Sequence, residues 1–124
     1  MIELFYSPTP NGRKVSIMLE ETKINYKITH VDLSKDKQFK PEFLKLNPYG
    51  KIPVIIDHEK NLVLIESGAI LIYLAKKSKQ FLPQENETKI FEWLMFQMGN
   101  VGPMFGQHHH FHHFNPGKNK YAED

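Results

Sequence analysis

Asn47-Pro48-Tyr49-Gly50-Lys51-Ile52-Pro53-Val54-Ile55-Ile56 decides how the first part of this chain folds, read with the later run Leu62-Val63-Leu64-Ile65-Glu66-Ser67-Gly68-Ala69-Ile70. Asn47 and Pro48 stop a helix. Ile52 to Ile56 and Leu62 to Ile65 are apolar runs of strand length. The polar segment Asp57 to Asn61 joins them, so they read as an antiparallel hairpin. Ser67 then opens a helix to about Ser78, with Ala69, Ile70, Tyr73 and Leu74 on its buried face.

Toward the N-terminus, Pro41 to Leu46 reads as a short helix. Tyr26 to Asp32 reads as a strand, with Tyr26 and Ile28 on one face. Gly12 to Glu21 is a helix whose Val15, Met18 and Leu19 share a side. It is entered through the turn cluster Ser7-Pro8-Thr9-Pro10-Asn11-Gly12, where Thr9 stands as a cap and Pro10 in the first turn. Ile2 to Tyr6 is the first strand. The order is β-α-β-α-β-β-α. Helices between strands favour parallel pairing and the last hairpin is antiparallel, so the expected class is α/β with a mixed sheet.

Toward the C-terminus, residues 81–86 read as a linker between a domain at 1–80 and a helical segment at 87–124. A helix is expected from Glu87 to about Met98. Phe91, Trp93, Leu94, Met95, Phe96 and Met98 make it apolar nearly all round, and Glu92 is the one formal charge between Ile90 and Gly117. Such a helix needs cover on several sides. The sequence therefore reads as a piece of a longer protein whose helical domain is incomplete, and this face is expected to drive association. Gly99, Gly102, Pro103 and Gly106 are expected to kink or interrupt the helix.

Composition narrows the function. Of 124 residues, 40% are hydrophobic and 24% charged, which suits a globular chain. Sixteen Lys and Arg against fourteen Asp and Glu leave a net charge of +2, too weak a field to imply nucleic acid or a membrane surface. There is no cysteine. That excludes a disulfide scaffold, a cysteine zinc site and a protein thiol nucleophile. The N-terminus lacks a basic region and cleavage site, and the longest wholly apolar run, Ala69 to Ala75, is far short of a membrane span. A soluble cytoplasmic protein is expected. His108, His109, His110, His112 and His113 include pairs at the i, i+4 spacing of helix metal sites. Gly106 and Pro116 weigh against a regular helix there, and no acidic ligand lies within the cluster, so no metal is expected.

Three pieces taken in order carry a resemblance: the early Ser7-Pro8-Thr9-Pro10-Asn11-Gly12 turn, Asn47 to Pro53, and Glu66-Ser67-Gly68-Ala69-Ile70 entering an apolar helix. Together they resemble the thioredoxin-like N-terminal domain of the glutathione transferases. Thr9 to Gly12 and the stretch from Trp93 through Gly102-Pro103-Met104-Phe105-Gly106-Gln107 to Phe111 are similar to the bacterial nu class, which are glutathione-dependent disulfide-bond oxidoreductases. The resemblance covers essentially the whole chain. It places the histidines at the start of the helical C-terminal domain, with His108 and His112 where asparagine is expected.

The resemblance implies a site for glutathione. Glu66 would hold the ammonium of the γ-glutamyl end. Ser67, at a helix N-terminus, would hold its carboxylate, because free N–H groups and the helix dipole suit an anion. A plain N-cap is the alternative for Ser67. Ile52-Pro53 matches the family's cis-proline, which would offer the Ile52 backbone to the cysteinyl residue as an added strand; a proline starting an edge strand is the alternative. Lys51 would meet the glycyl carboxylate and Gln38 would add a peptide contact. Either residue could instead be ordinary surface or loop.

At the thiol end the chain offers Thr9 and Asn11, with Tyr6 and Ser7 upstream. Neither Thr nor Asn is a base. Each can donate a hydrogen bond to a thiolate, whose ordinary pKa of ~8.5 then falls. Cap and turn chemistry is the competing reading. The implied activity is transfer or disulfide reduction, in which glutathione as cosubstrate supplies the attacking thiolate and a second thiol resolves the mixed disulfide. A disulfide or an electrophile is the second substrate, and the full-length protein is expected to be a homodimer. The alternative is a non-catalytic binding or regulatory domain, as the related yeast nitrogen-regulatory protein suggests.

Overall fold

The computed structural model describes residues 1–124. They fall into two compact units, Met1–Leu82 and Pro83–Asp124.

The first unit is built on four strands: β1 (Ile2–Tyr6), β2 (Tyr26–His30), β3 (Val54–Asp57) and β4 (Leu62–Ile65). Their spatial order is β2-β1-β3-β4. β1 pairs with β2 in parallel, and antiparallel with β3, which pairs antiparallel with β4. The sheet is thus mixed, as the sequence leads one to expect. Three helices join the strands: α1 (Pro10–Thr22), α2 (Pro41–Leu44) and α3 (Ser67–Ser78).

Strand alternation divides the core in two. Ile2 and Leu4 of β1 and Ile55 of β3 meet Val15 and Leu19 of α1 and Ile70 and Leu74 of α3, all with no exposed surface. On the other face Val54 packs with Val31 and Phe43 of α2, and Phe5 sets its ring edge-on to Phe43 at 6.1 Å. One detail of the expected faces differs. Ala69 is exposed, while Gly68 and Ala75 are buried: α3 meets α1 and the sheet along the line through residues 67, 70, 74 and 75, and Ala69 falls off it. Tyr26 and Ile28 share a face of β2, an edge strand on which Ile28 is half-exposed. α2 is four residues long, shorter than the six expected.

Asp57 is buried at the end of β3. Its carboxylate accepts from the Tyr73 hydroxyl at 2.5 Å and pairs with the Lys77 ammonium at 2.9 Å. Both partners stand on α3, so one carboxylate ties the sheet to that helix. Lys77 also meets Glu59 at 2.7 Å, and Glu59 holds the N-terminal ammonium at 2.6 Å. Burial pushes the Asp57 carboxyl upward, but the Tyr73, Lys77 and Glu59 N–H bonds outweigh it and hold the group down at about 2.

The second unit is a run of helix: α4 (Glu87–Phe96), α5 (Gly102–His109) and a short α6 (Lys120–Glu123). Wider π-type turns at Gln97–Val101 and His110–Phe114 follow α4 and α5. The chain stays helical through Gly99 and Gly102, so the interruption expected there takes the form of a widened turn. Pro103 explains the position: it has no N–H and crowds the carbonyl four residues back, and a wide turn just before it relieves both. No residue of α4 or α5 is buried, and Trp93, Met95, Phe96, Met104 and Phe105 are about half exposed or more. No helix is long and apolar enough to cross a membrane.

Candidate functional site

One cleft in the first unit is lined by Asn11, Asn47, Lys51, Ile52, Pro53, Glu66 and Ser67. It collects the N-terminal turn of α1, the loop before β3 and the start of α3. Thr9 and Gln38 are not among its walls.

The floor is the entry to α3. Ser67 is its first residue and is buried. Glu66 precedes it with φ +67° and ψ 112°, a backbone region that costs a side-chain-bearing residue free energy and collects at functional sites. The Glu66 carbonyl accepts the helix's first bond, from the Ile70 N–H at 2.9 Å. No side chain caps this end and no acidic residue stands in the first turn. The leading N–H groups of a helix have no partner within it, and the dipole there is positive. The geometry suits an anion from outside, with the Glu66 carboxylate beside it to meet a cation.

The second wall is the turn from Asn47 to Lys51. Asn47 is buried, donates from Nδ2 to the Lys51 carbonyl at 2.8 Å and accepts at Oδ1 from the Tyr49 N–H at 3.0 Å. The Gly50 N–H closes the turn on the Asn47 carbonyl at 3.0 Å. Gly50 has φ +61°, and a Cβ there would come within 2.7 Å of the Phe39 ring. Only glycine fits both demands. Ile52–Pro53 is a cis peptide, and β3 begins at Val54. Gln38 lies in the turn at Lys37–Phe39 behind Gly50, and its Oε1 is buried with no hydrogen-bond partner.

Asn11 supplies the third wall, and behind it, outside the lining, Thr9 caps α1, accepting from the Gly12 N–H at 3.2 Å. The lone pair is used; the hydroxyl proton is not used by that bond. Asn11 stands exposed in the first turn and faces the cleft. Ser7 is buried and donates to the Val31 carbonyl, which commits its proton to joining the ends of β1 and β2. Tyr6 packs against the core. Of the four groups at this end, Thr9 and Asn11 keep donors near the α1 N-terminus.

One residue of the cleft went unsingled as a site residue in the sequence. Asn47 served there as a helix stop, although Asn before Pro is a known turn former whose side chain bonds its own backbone. Outside the cleft lining, Lys14 lies on α1, three residues beyond Asn11, and is half-buried. Burial draws its ammonium below the usual lysine value, and the Glu66 carboxylate opposes that pull. No group of three or more His, Cys, Asp or Glu side chains is placed to hold a metal.

Comparison with known proteins gives this geometry a context. Residues 2–76 match the model of the glutathione S-transferase N-terminal domain. The disulfide-bond oxidoreductase YfcG of Escherichia coli (strain K12) is 47% identical over 129 residues, covering 98% of this chain and 60% of that protein. A glutathione transferase of Burkholderia graminis, solved with two glutathione molecules per subunit, superposes with a TM-score of 0.93 at 48% identity over 99% of this chain and 55% of its own. One from Pseudomonas putida, solved with one glutathione disulfide per subunit, has a TM-score of 0.90 at 46% identity, covering 99% and 57%. The chain thus spans about 60% of the length of the curated relative, YfcG.

Proposed function

The chain belongs to the glutathione S-transferase family, and from that premise we propose that it binds reduced glutathione and uses the bound thiol to reduce disulfides. The observation that carries the proposal is the single cleft in which Asn11, Lys51, Ile52, Pro53, Glu66 and Ser67 converge on the uncapped N-terminus of α3.

The residues divide the ligand among them. Ser67 and the first N–H groups of α3 take the γ-glutamyl carboxylate, and Glu66 takes the ammonium. The Ile52 backbone pairs with the cysteinyl residue where β3 has not yet begun. Lys51 faces the glycyl carboxylate, and Gln38, behind Gly50, adds a contact to the ligand's peptide. Glutathione supplies the sulfur, since the chain has none of its own to offer as a thiol. Thr9 and Asn11 donate to the sulfur at the α1 N-terminus and favour its ionised form. The balance is two glutathione thiols oxidised to one glutathione disulfide, and one substrate disulfide reduced to two thiols.

A reaction that consumes reduced glutathione belongs in a reducing compartment, so we place the protein in the cytoplasm. Electrophiles that accept a thiolate are the second substrate class. For the longer protein we propose a homodimer, which the exposed apolar side chains of the second unit favour.

The test is glutathione-dependent reduction of a small dialkyl disulfide, followed with the unmodified chain and with Thr9 and Asn11 both changed to Ala. Reduction that the double variant loses while it still binds glutathione supports the enzyme. Binding without turnover in the unmodified chain would instead make this a regulatory binding domain.

A further inference from the structure

We propose that the face of the sheet turned away from α1 and α3 carries a second small-molecule site, which takes an uncharged, mostly apolar molecule with a single O–H or N–H donor, of the phenol or arylamine kind. The site follows from how little of that face α2 covers. A four-residue helix spans about 6 Å, whereas β2, β1 and β3 side by side span about 10 Å. Phe43 of α2 packs with Val54 and Val31, and the part of the face beside it stays open. A cavity of about 560 Å³ lies there, walled by Phe5, Val31, Phe43, Leu46 and Ile56. Sites for small organic ligands occupy about 300–1,000 Å³ and have walls of this apolar and aromatic kind. The cavity shares no wall with the glutathione cleft, so the proposal stands whether or not that reading holds.

One polar group on the floor sets the chemistry. Thr29 lines the cavity and is half-buried. Its hydroxyl donates to the Glu3 carboxylate at 2.6 Å. Glu3 also meets the Lys27 ammonium at 3.0 Å and His58 Nε2 at 2.8 Å. Burial pushes the Glu3 carboxyl upward, and the bonds from Thr29, His58 and Lys27 bring it below the usual carboxylate value. A carboxylate only accepts, so the Thr29 proton is committed and its lone pairs are left. Donating to a charged acceptor makes the oxygen a stronger acceptor itself. The floor therefore offers a ligand an acceptor and no donor.

The five apolar walls carry no charge. At the mouth Lys37 and Glu42 stand exposed with opposite signs, beside the His30 imidazole. Asp32 is bound within its own turn, to the Ser34 hydroxyl at 2.6 Å and Lys35 at 3.5 Å. A charged head would trade attraction to one lip for repulsion from the other and lose its hydration. An uncharged ligand meets neither cost.

The experiment is titration of the whole chain with diphenylamine, which is neutral, apolar and has one N–H, read by the methyl signals of Val31, Leu46 and Ile56 in heteronuclear NMR spectra. Saturable shifts at these residues are expected, unchanged by reduced glutathione. Thr29→Val should weaken binding by about 2-fold to 10-fold, the worth of one neutral hydrogen bond, while Thr29→Ser keeps it. Leu46→Trp fills the cavity and should abolish the shifts. Diphenylamine sulfonate, the same rings with a charge, should bind more weakly. In the unmodified chain, no saturable shift at these methyls, or shifts only at Leu94 and Val101 of the second unit, overturns the proposal. Equal affinity in Thr29→Val, or tighter binding of the sulfonate, overturns the ligand class.

Discussion

Ser67 is the residue on which glutathione affinity should turn. In the proposed site its hydroxyl and the α3 N–H groups would meet a carboxylate, and hydrogen bonds to charged groups are worth about 1.5–3 kcal/mol. Ser67→Ala should weaken glutathione by about 10-fold to 100-fold in a calorimetric titration, with the fold intact by circular dichroism. An unchanged affinity would reduce Ser67 to a helix cap. Thr9 and Asn11 should show the opposite split. Changing both to Ala should lower kcat for disulfide reduction by about 100-fold, the scale of losing a preorganised donor at developing charge. Binding should fall less. The Thr9 change should also cost about 1 kcal/mol, because the hydroxyl caps α1. The cleft-lining residues at a helix entry, Glu66 and Ser67, were legible because their type is tied to their place. Asn47 is intermediate: its helix stop was legible, but the turn it closes with its own side chain and its burial in the cleft wall were not, because both depend on how Lys51 and Tyr49 return to it.

At the scale of elements, Asp57 joins β3 to α3. The sequence reads it as the first polar residue of a hairpin loop. The register puts it opposite Ile2, on the face that points at α3, and only the packed structure supplies Tyr73 and Lys77. Its carboxyl lies at about 2 in the folded chain, below the ordinary value of ~3.9. A depressed pKa means that the folded state binds its proton more weakly than the unfolded one. The contribution is therefore complete above about pH 4 and is lost as pH falls through 2. Asp57→Ala should cost about 3 kcal/mol at neutral pH, the scale for removing one partner of a buried ion pair. It should also flatten the acid limb of the stability curve. Thermal unfolding between pH 2 and 7 checks both; a parallel curve with no loss would remove the network from the account. The strands and long helices were legible because their apolar spacing matches the faces they bury. The offset of Ala69 and the π-type turns were not, because the first depends on where α1 lies and the second on how a helix accommodates Pro103.

The whole molecule is two units of unequal character. The first buries a two-sided core. The second exposes Trp93, Met95, Phe96, Met104, Phe105 and Phe114, with Trp93 and Phe96 set edge-on to each other, and large exposed apolar side chains in such number favour association. Static light scattering should show concentration-dependent association of this chain, and charged substitutions at Trp93 and Phe96 should reduce it. A monodisperse monomer at every concentration would contradict the reading of that surface. The apolar character of these residues was legible in the sequence, because Glu92 is the one formal charge between Ile90 and Gly117.

The central claim is that the first unit carries a complete glutathione site, and calorimetric titration of the 124-residue chain with reduced glutathione tests it most directly. The account predicts saturable binding at the cleft, weakened by Ser67→Ala and Glu66→Gln. It also predicts a stability gain of about 2.7 kcal/mol at a hundredfold excess over Kd. A folded chain that releases no heat and gains no stability at millimolar glutathione would contradict it.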